Sequence, residues 1–142
     1  MVYILFGCLS SWYLTGLSWT IGVVTYPGFS LIGTSDWRRF HEFHSRRIAL
    51  AVGPMWAVEV LASALWVLRA PQGTQVLSIV AGAAALSTVA LTVFWAVPAH
   101  NRLSQGFSPK LSRRLGRAHL ARTAAWTIAA TCATIALSQH LR

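Results

Sequence analysis

The chain has 142 residues, is 55% hydrophobic and only 11% charged, and carries a net charge of +9. So apolar a composition excludes an ordinary soluble domain. The basicity does not point to nucleic acid either, because the charges flank apolar runs and no soluble module is left to present them.

Four runs lack Lys, Arg and Asp: Val2 to Phe29, Ile48 to Leu68, Val76 to Pro98 and Thr123 to Leu141. A helix rising about 1.5 Å per residue needs ~20 residues to cross ~30 Å of hydrocarbon. All four runs are long enough, and the predicted spans are residues 2–26, 47–69, 76–98 and 119–139. The first run has no basic leader region and no clean cleavage site, so it reads as an uncleaved helix rather than a signal peptide. It is expected to end at Tyr26-Pro27-Gly28, since proline cannot continue a helix and glycine releases it.

A second helix can start with Thr34 or Ser35 as N-cap and Asp36 in its first turn. No stop signal occurs before Leu68. Helix two is therefore predicted to protrude beyond the bilayer and to kink near Gly53-Pro54. Pro71 and Gly73 mark the short turn to helix three, which should kink or stop at Pro98. Ser108 then caps a helix with Pro109 at its first position. Leu111, Leu115 and Ala118 make one apolar stripe of that helix, an interfacial segment running into span four. Spans three and four are rich in alanine, which lets membrane helices approach closely.

Arg38, Arg39, Arg46 and Arg47 lie in the first connection, and Arg102, Lys110, Arg113, Arg114, Arg117 and Arg122 in the third, leaving only Arg69 and Arg142 for the other side. The positive-inside rule makes the basic side cytoplasmic. The expected fold is a single-domain, all-α membrane protein: an antiparallel bundle of four transmembrane helices with cytoplasmic helical extensions and both termini outside. Its place is a plasma membrane, the inner one in a bacterium. Anionic headgroups are the expected partner of the basic side, with a homo-oligomer or a larger membrane complex as further partners. Cys8 and Cys132 both fall within spans, and whether they pair is left open.

Glu59 is the only charge between Ile48 and Leu68. A carboxyl near the bilayer midplane is costly and becomes a functional candidate by default. Its depth-matched neighbours on a simple count are Thr15, Ser18, Ser87, Thr88, Thr127 and Thr131, none a cation, so it is expected as the neutral acid. Either it bonds those hydroxyls and holds helices together, or it carries a proton or binds a polar group of a lipophilic ligand.

Four histidines belong to the basic side. His41 and His44 share a helix face, His100 follows Pro98, and His119 shares a face with Arg122 and Trp126. Imidazoles converging from several helices can ligate iron or zinc, and an opposed pair can hold haem. Interfacial histidines bonding headgroups or loop carbonyls are the plainer alternative. The candidate metal ligands are therefore His41, His44, His100 and His119, with His100, His119 and Trp126 lining a cofactor pocket. Glu59 and Arg122 are the catalytic candidates, with Arg122 facing a substrate oxygen or Glu42.

Val97-Pro98-Ala99-His100-Asn101-Arg102-Leu103, followed by His119-Leu120-Ala121-Arg122-Thr123, resembles the small four-helix membrane proteins grouped with fungal anthrone oxygenases, largely an uncharacterised domain family. Tyr26-Pro27 and Pro54-Met55 through Glu59 are similar to bacterial members. This chain has His119 where members often carry Asn. The resemblance implies oxidation of a polycyclic, quinone-like substrate with dioxygen, and singles out His100, His119 and Arg122. Two other classes of function remain open from the residues. One is a non-enzymatic accessory subunit, docked through its alanine-rich faces and its long second helix. The other is a small carrier using Glu59.

Overall fold

The computed structural model describes residues 1–140, so Leu141 and Arg142 lie outside the described residues. Every described element is helical: α1 (Val2–Thr20), a π-helical turn (Ile21–Thr25), α2 (Tyr26–Gly28), a 3₁₀ turn (Phe29–Leu31), α3 (Trp37–Leu68), α4 (Gln75–Leu91), a second π-helical turn (Thr92–Ala96), α5 (Val97–Leu103) and α6 (Pro109–His140). End to end they give four helices long and apolar enough to cross a membrane: Val2–Leu31, Trp37–Leu68, Gln75–Leu103 and Pro109–His140.

The stop expected at Tyr26-Pro27-Gly28 does not occur, and of the kink or stop expected at Pro98 the stop does not occur either. The chain stays helical through Pro27 as far as Leu31, and through Pro98 as far as Leu103. A proline ring collides with the carbonyl four residues earlier. Those carbonyls belong to Val23 and Phe94, and each sits inside one of the two π turns. The widened turn makes room for the ring, so the helix bulges instead of ending. Pro54 lies inside α3 without such a turn. Next to the carbonyl it leaves without a donor, the Tyr13 hydroxyl donates to the Ala51 carbonyl at 3.2 Å.

The starts follow the sequence more closely. Asp36 is the N-cap residue of α3, just beyond the expected Thr34 or Ser35. Ser108 Oγ accepts from the Leu111 amide at 3.4 Å, as a capping serine before Pro109 should. Gly73, at φ 81°, makes the turn between α3 and α4.

Each long helix packs on two others: α1 on α3 and α6, and α4 on α3 and α6. Side-chain bonds tie these neighbours together. The Tyr3 hydroxyl donates to the Arg69 carbonyl, Cys8 Sγ meets Thr134 Oγ1 at 3.5 Å, and Trp56 Nε1 donates to Thr88 Oγ1 at 2.8 Å. Both thiols are free.

Two apolar cores form. One gathers Ile4, Trp66 and the buried alanines of α4 and α6, including Ala81, Ala84, Ala129, Ala133 and Ala136. The alanine faces expected to dock a partner are therefore turned inward, where they let α4 and α6 come close. The other core, near the basic loops, gathers Phe29, Trp37, Ala96, Ala99, Leu103 and Leu115. Trp37 Nε1 donates to the Leu103 carbonyl at 2.7 Å and ties the start of α3 to the end of α5.

Candidate functional site

Against this second core the bundle collects its histidines. Phe29 is fully buried and meets Trp37, Phe40, His41 and His44 edge-on, with ring centres 5.2 to 6.4 Å apart. Aromatic rings prefer such tilted contacts, so Phe29 and Trp37 fix the imidazoles. His41 Nε2 lies 3.2 Å from His100 Nδ1. His44 is offset over His100 at 6.4 Å between ring centres and stacks on Phe40 at 6.2 Å. Its Nε2 and the neighbouring Ser45 hydroxyl are buried without a partner.

His119 stands apart from this trio, behind Tyr26, whose ring centre is 4.9 Å away. Its Nε2 is 2.8 Å from the Ser18 carbonyl, an acceptor only, so Nε2 carries the proton and donates. Nδ1 is then left to accept from Arg122 Nη2 at 3.3 Å. Both nitrogens are committed, and His119 has no lone pair free for a metal. The four expected ligands are thus split. Among the described residues no group of three or more His, Cys, Asp or Glu is disposed to hold a metal ion. His41 and His100 in direct contact also leave no room for a haem between them. The residues do not fit either group.

Arg122 is the centre of the site. Nη1 donates to Thr92 Oγ1 at 3.1 Å, and Thr92 Oγ1 donates in turn to the Thr88 carbonyl at 2.7 Å. The guanidinium lies over the Trp126 ring, 5.6 Å from its centroid. Its Nε–H is buried without a partner, as is Trp126 Nε1. Glu42, the acid expected as an alternative partner, is bound to Arg46 at 2.6 Å, the one ion pair among the described residues. Arg122 is therefore a largely buried cation without a counter-charge, which is costly unless something else meets it.

Two cavities flank this unit. One, of about 310 Å³, is lined by Trp56, Thr92, His100, Arg122 and Trp126 with apolar residues of α3 between them. The other, of about 500 Å³, lies between α1 and α6 and is lined by Gly22, Phe107 and His119. Tyr26 lines both. A polar pocket lined by Arg38, His41, Glu42 and Asn101 approaches His100 and Ser45 from outside. His100 and Ser45 therefore touch both this pocket and the inner cavity.

Glu59 lines neither inner cavity. It is fully buried, and neither carboxyl oxygen has a hydrogen-bond partner. Of the six hydroxyls expected to meet it, Thr15 Oγ1 is itself buried without a partner, and four are spent on their own helices: Ser87 on Ala84, Thr88 on Ala85, Thr127 on Thr123 and Thr131 on Thr127. This is the local back-bonding that Ser and Thr favour inside helices. The helix register also differs from a simple count. A methyl on Gly7 would lie 3.6 Å from Ala62. Glu59, three residues before Ala62, is thus level with Ser10 on the antiparallel α1 rather than with Thr15 or Ser18.

Tyr26, Thr92 and Trp56 were not marked as site residues by the sequence; Tyr26-Pro27 read as a helix end and as part of the family resemblance, with no role of its own. Gly22 carries a signal that only the fold interprets. A methyl there would sit 3.4 Å from His119 Cδ2, already in contact, so a larger side chain would meet the imidazole that reaches Ser18. Gly22→Val is expected to push His119 off the carbonyl and cost about 1–3 kcal/mol of stability. Thermal unfolding of the solubilised protein checks this, and an unchanged midpoint would show that the contact is slack.

Comparison with protein-family models, with curated proteins and with solved structures finds no match to this chain.

Proposed function

We propose that this chain is a multi-pass membrane oxidoreductase whose inner cavity binds a lipophilic, quinone-like ring, with Arg122 as the anchor for a ring oxygen. The observation that carries the reading is the guanidinium itself: a buried cation without an acid, with one N–H unpaired, beside a cavity walled by Trp56, Trp126 and aliphatic side chains. Ligand sites are mostly apolar with a few convergent polar groups. A cavity of about 310 Å³ suits a compact fused-ring molecule. The bundle is taken as antiparallel with its basic loops in the cytoplasm and both termini outside, in a plasma membrane, from the distribution of cations.

The chemistry follows from the parts. An aromatic ketone with an adjacent CH₂ loses a proton to give an enolate, and a fixed guanidinium on its oxygen stabilises that charge where water is excluded. His100 borders the cavity and can take the proton. Its contact with His41 leads that proton toward the outer polar pocket. The enolate is then electron-rich enough to add dioxygen as a peroxide, which takes a proton back through His100 and breaks its O–O bond: one oxygen stays as the new C=O, and the other leaves as water with the two hydrogens of the CH₂. The resemblance to anthrone-oxygenase-like proteins points to the same class of substrate. The accessory-subunit reading loses its main support, because the alanine faces are internal.

The test is ligand retention and titration. Solvent extracts of the purified protein are examined by mass spectrometry for ring ketones and quinones, and 1,4-naphthoquinone is titrated against tryptophan fluorescence. Saturable quenching that falls in Trp126→Phe and Trp56→Phe is expected. Quenching that is linear, or unaffected by either change, would overturn the reading.

A further inference from the structure

A further groove, of about 890 Å³ and with no histidine in its lining, is enclosed by α4, the second π turn, α5 and α6. Five cations line it: Arg102, Lys110, Arg113, Arg114 and Arg117. No acidic residue does. The chain has only three acids, Asp36, Glu42 and Glu59. Glu42 is taken by Arg46, and Glu59 is buried in α3. The cluster therefore has no internal counter-charge.

The groove is not only a charged rim. Its floor is Leu91, Trp95 and the α6 residues Ala118 and Ala121. The Arg122–Thr92 bond holds α6 against the π turn and sets Leu91 level with Ala121. From Lys110 to Ala121 the helix advances about 16 Å. The cations occupy the loop end of that length and the apolar floor the other, where Leu91 and Trp95 belong to the apolar run Val76 to Pro98. Trp95, 44% exposed, stands between them, where an aromatic ring suits the membrane interface.

We propose that this groove is a binding site for a phospholipid with a two-phosphate headgroup. The phosphates sit among the Arg113, Arg114 and Arg117 guanidiniums, and the acyl chains lie along Leu91 and Trp95. Basic pockets between membrane helices bind such headgroups through charge and forked hydrogen bonds. Five cations exceed what a single phosphodiester needs, and a free phosphate would leave the apolar floor unused. The site is separate from the cavity at Arg122 and does not depend on its chemistry.

Native mass spectrometry of the full chain in nonionic detergent decides the matter, with cardiolipin, phosphatidylglycerol and inorganic phosphate titrated separately. One cardiolipin per chain is expected, bound about tenfold more tightly than phosphatidylglycerol, with no phosphate adduct. Neutralising Arg113, Arg114 and Arg117 together to Gln should weaken cardiolipin about 100-fold, at roughly fivefold for each cation near an anionic headgroup. Trp95→Ala, which leaves every charge in place, should also weaken it severalfold, and serves if the triple variant does not fold. Arg38→Gln with Arg39→Gln should change nothing. Equal binding of phosphate or phosphatidylglycerol, an equal loss in the Arg38/Arg39 variant, or an unaltered Trp95→Ala would each overturn the proposal.

Discussion

Arg122→Gln is expected to weaken binding of 1,4-naphthoquinone by about 10- to 100-fold, the value of a hydrogen bond from a charged donor at ~1.5–3 kcal/mol. Arg122→Lys should fall between, since an ammonium keeps the charge but loses the fork that reaches Thr92, His119 and the cavity together. Arg122→Met separates function from stability. Removing the guanidinium relieves the cost of a buried cation with no acid beside it but also gives up the bonds to Thr92 and His119, so the unfolding midpoint should change little while binding is lost. A purely structural arginine would behave the other way, with the midpoint falling and the affinity surviving. Fluorescence titration and thermal unfolding on the same variants give both readings, and an unaltered affinity in Arg122→Gln would end the case for Arg122 as the anchor.

The four helices were legible because each apolar run is long and continuous, and the Ser108-Pro109 start because capping is local chemistry. The ends of the first and third helices were not. Proline signals a stop, but whether a helix yields or bulges depends on a π turn that the packing stabilises, and neither Ile21–Thr25 nor Thr92–Ala96 carries a mark of it in sequence. The grouping of His41, His44 and His100 followed from their common side of the membrane. The separation of His119 did not, because it turns on a bond to Ser18, 101 residues away along the chain. Arg122 read equally well as a headgroup anchor or an inward cation. Trp126, one turn along the same face, was visible in the sequence; the choice came from Thr92 and the cavity wall at Tyr26, which sit on other helices and share no sequence pattern with Arg122.

Glu59→Met is expected to stabilise the protein by about 1–3 kcal/mol, the penalty for a buried polar group without a partner. Both carboxyl oxygens are fully enclosed and unbonded, with Ala62 and Ser63 buried one turn further along α3. Methionine is close in length to glutamic acid and flexible enough to fill the same space without a void. Glu59→Gln retains polar atoms and should gain little, while Glu59→Ala opens a cavity and should lose. The three variants thus rank Met above Gln above Ala in unfolding temperature. Because Glu59 lines neither inner cavity, naphthoquinone affinity should be the same in all three. A Met variant that melts lower than the native chain would show that the carboxyl has a partner in the membrane. A variant that is stabilised, binds normally and yet fails to turn over would return Glu59 to the chemistry as a proton carrier. Stabilisation with turnover intact would leave it as a polar residue that the fold tolerates, and the reaction would then rest on Arg122 and the His100–His41 pair.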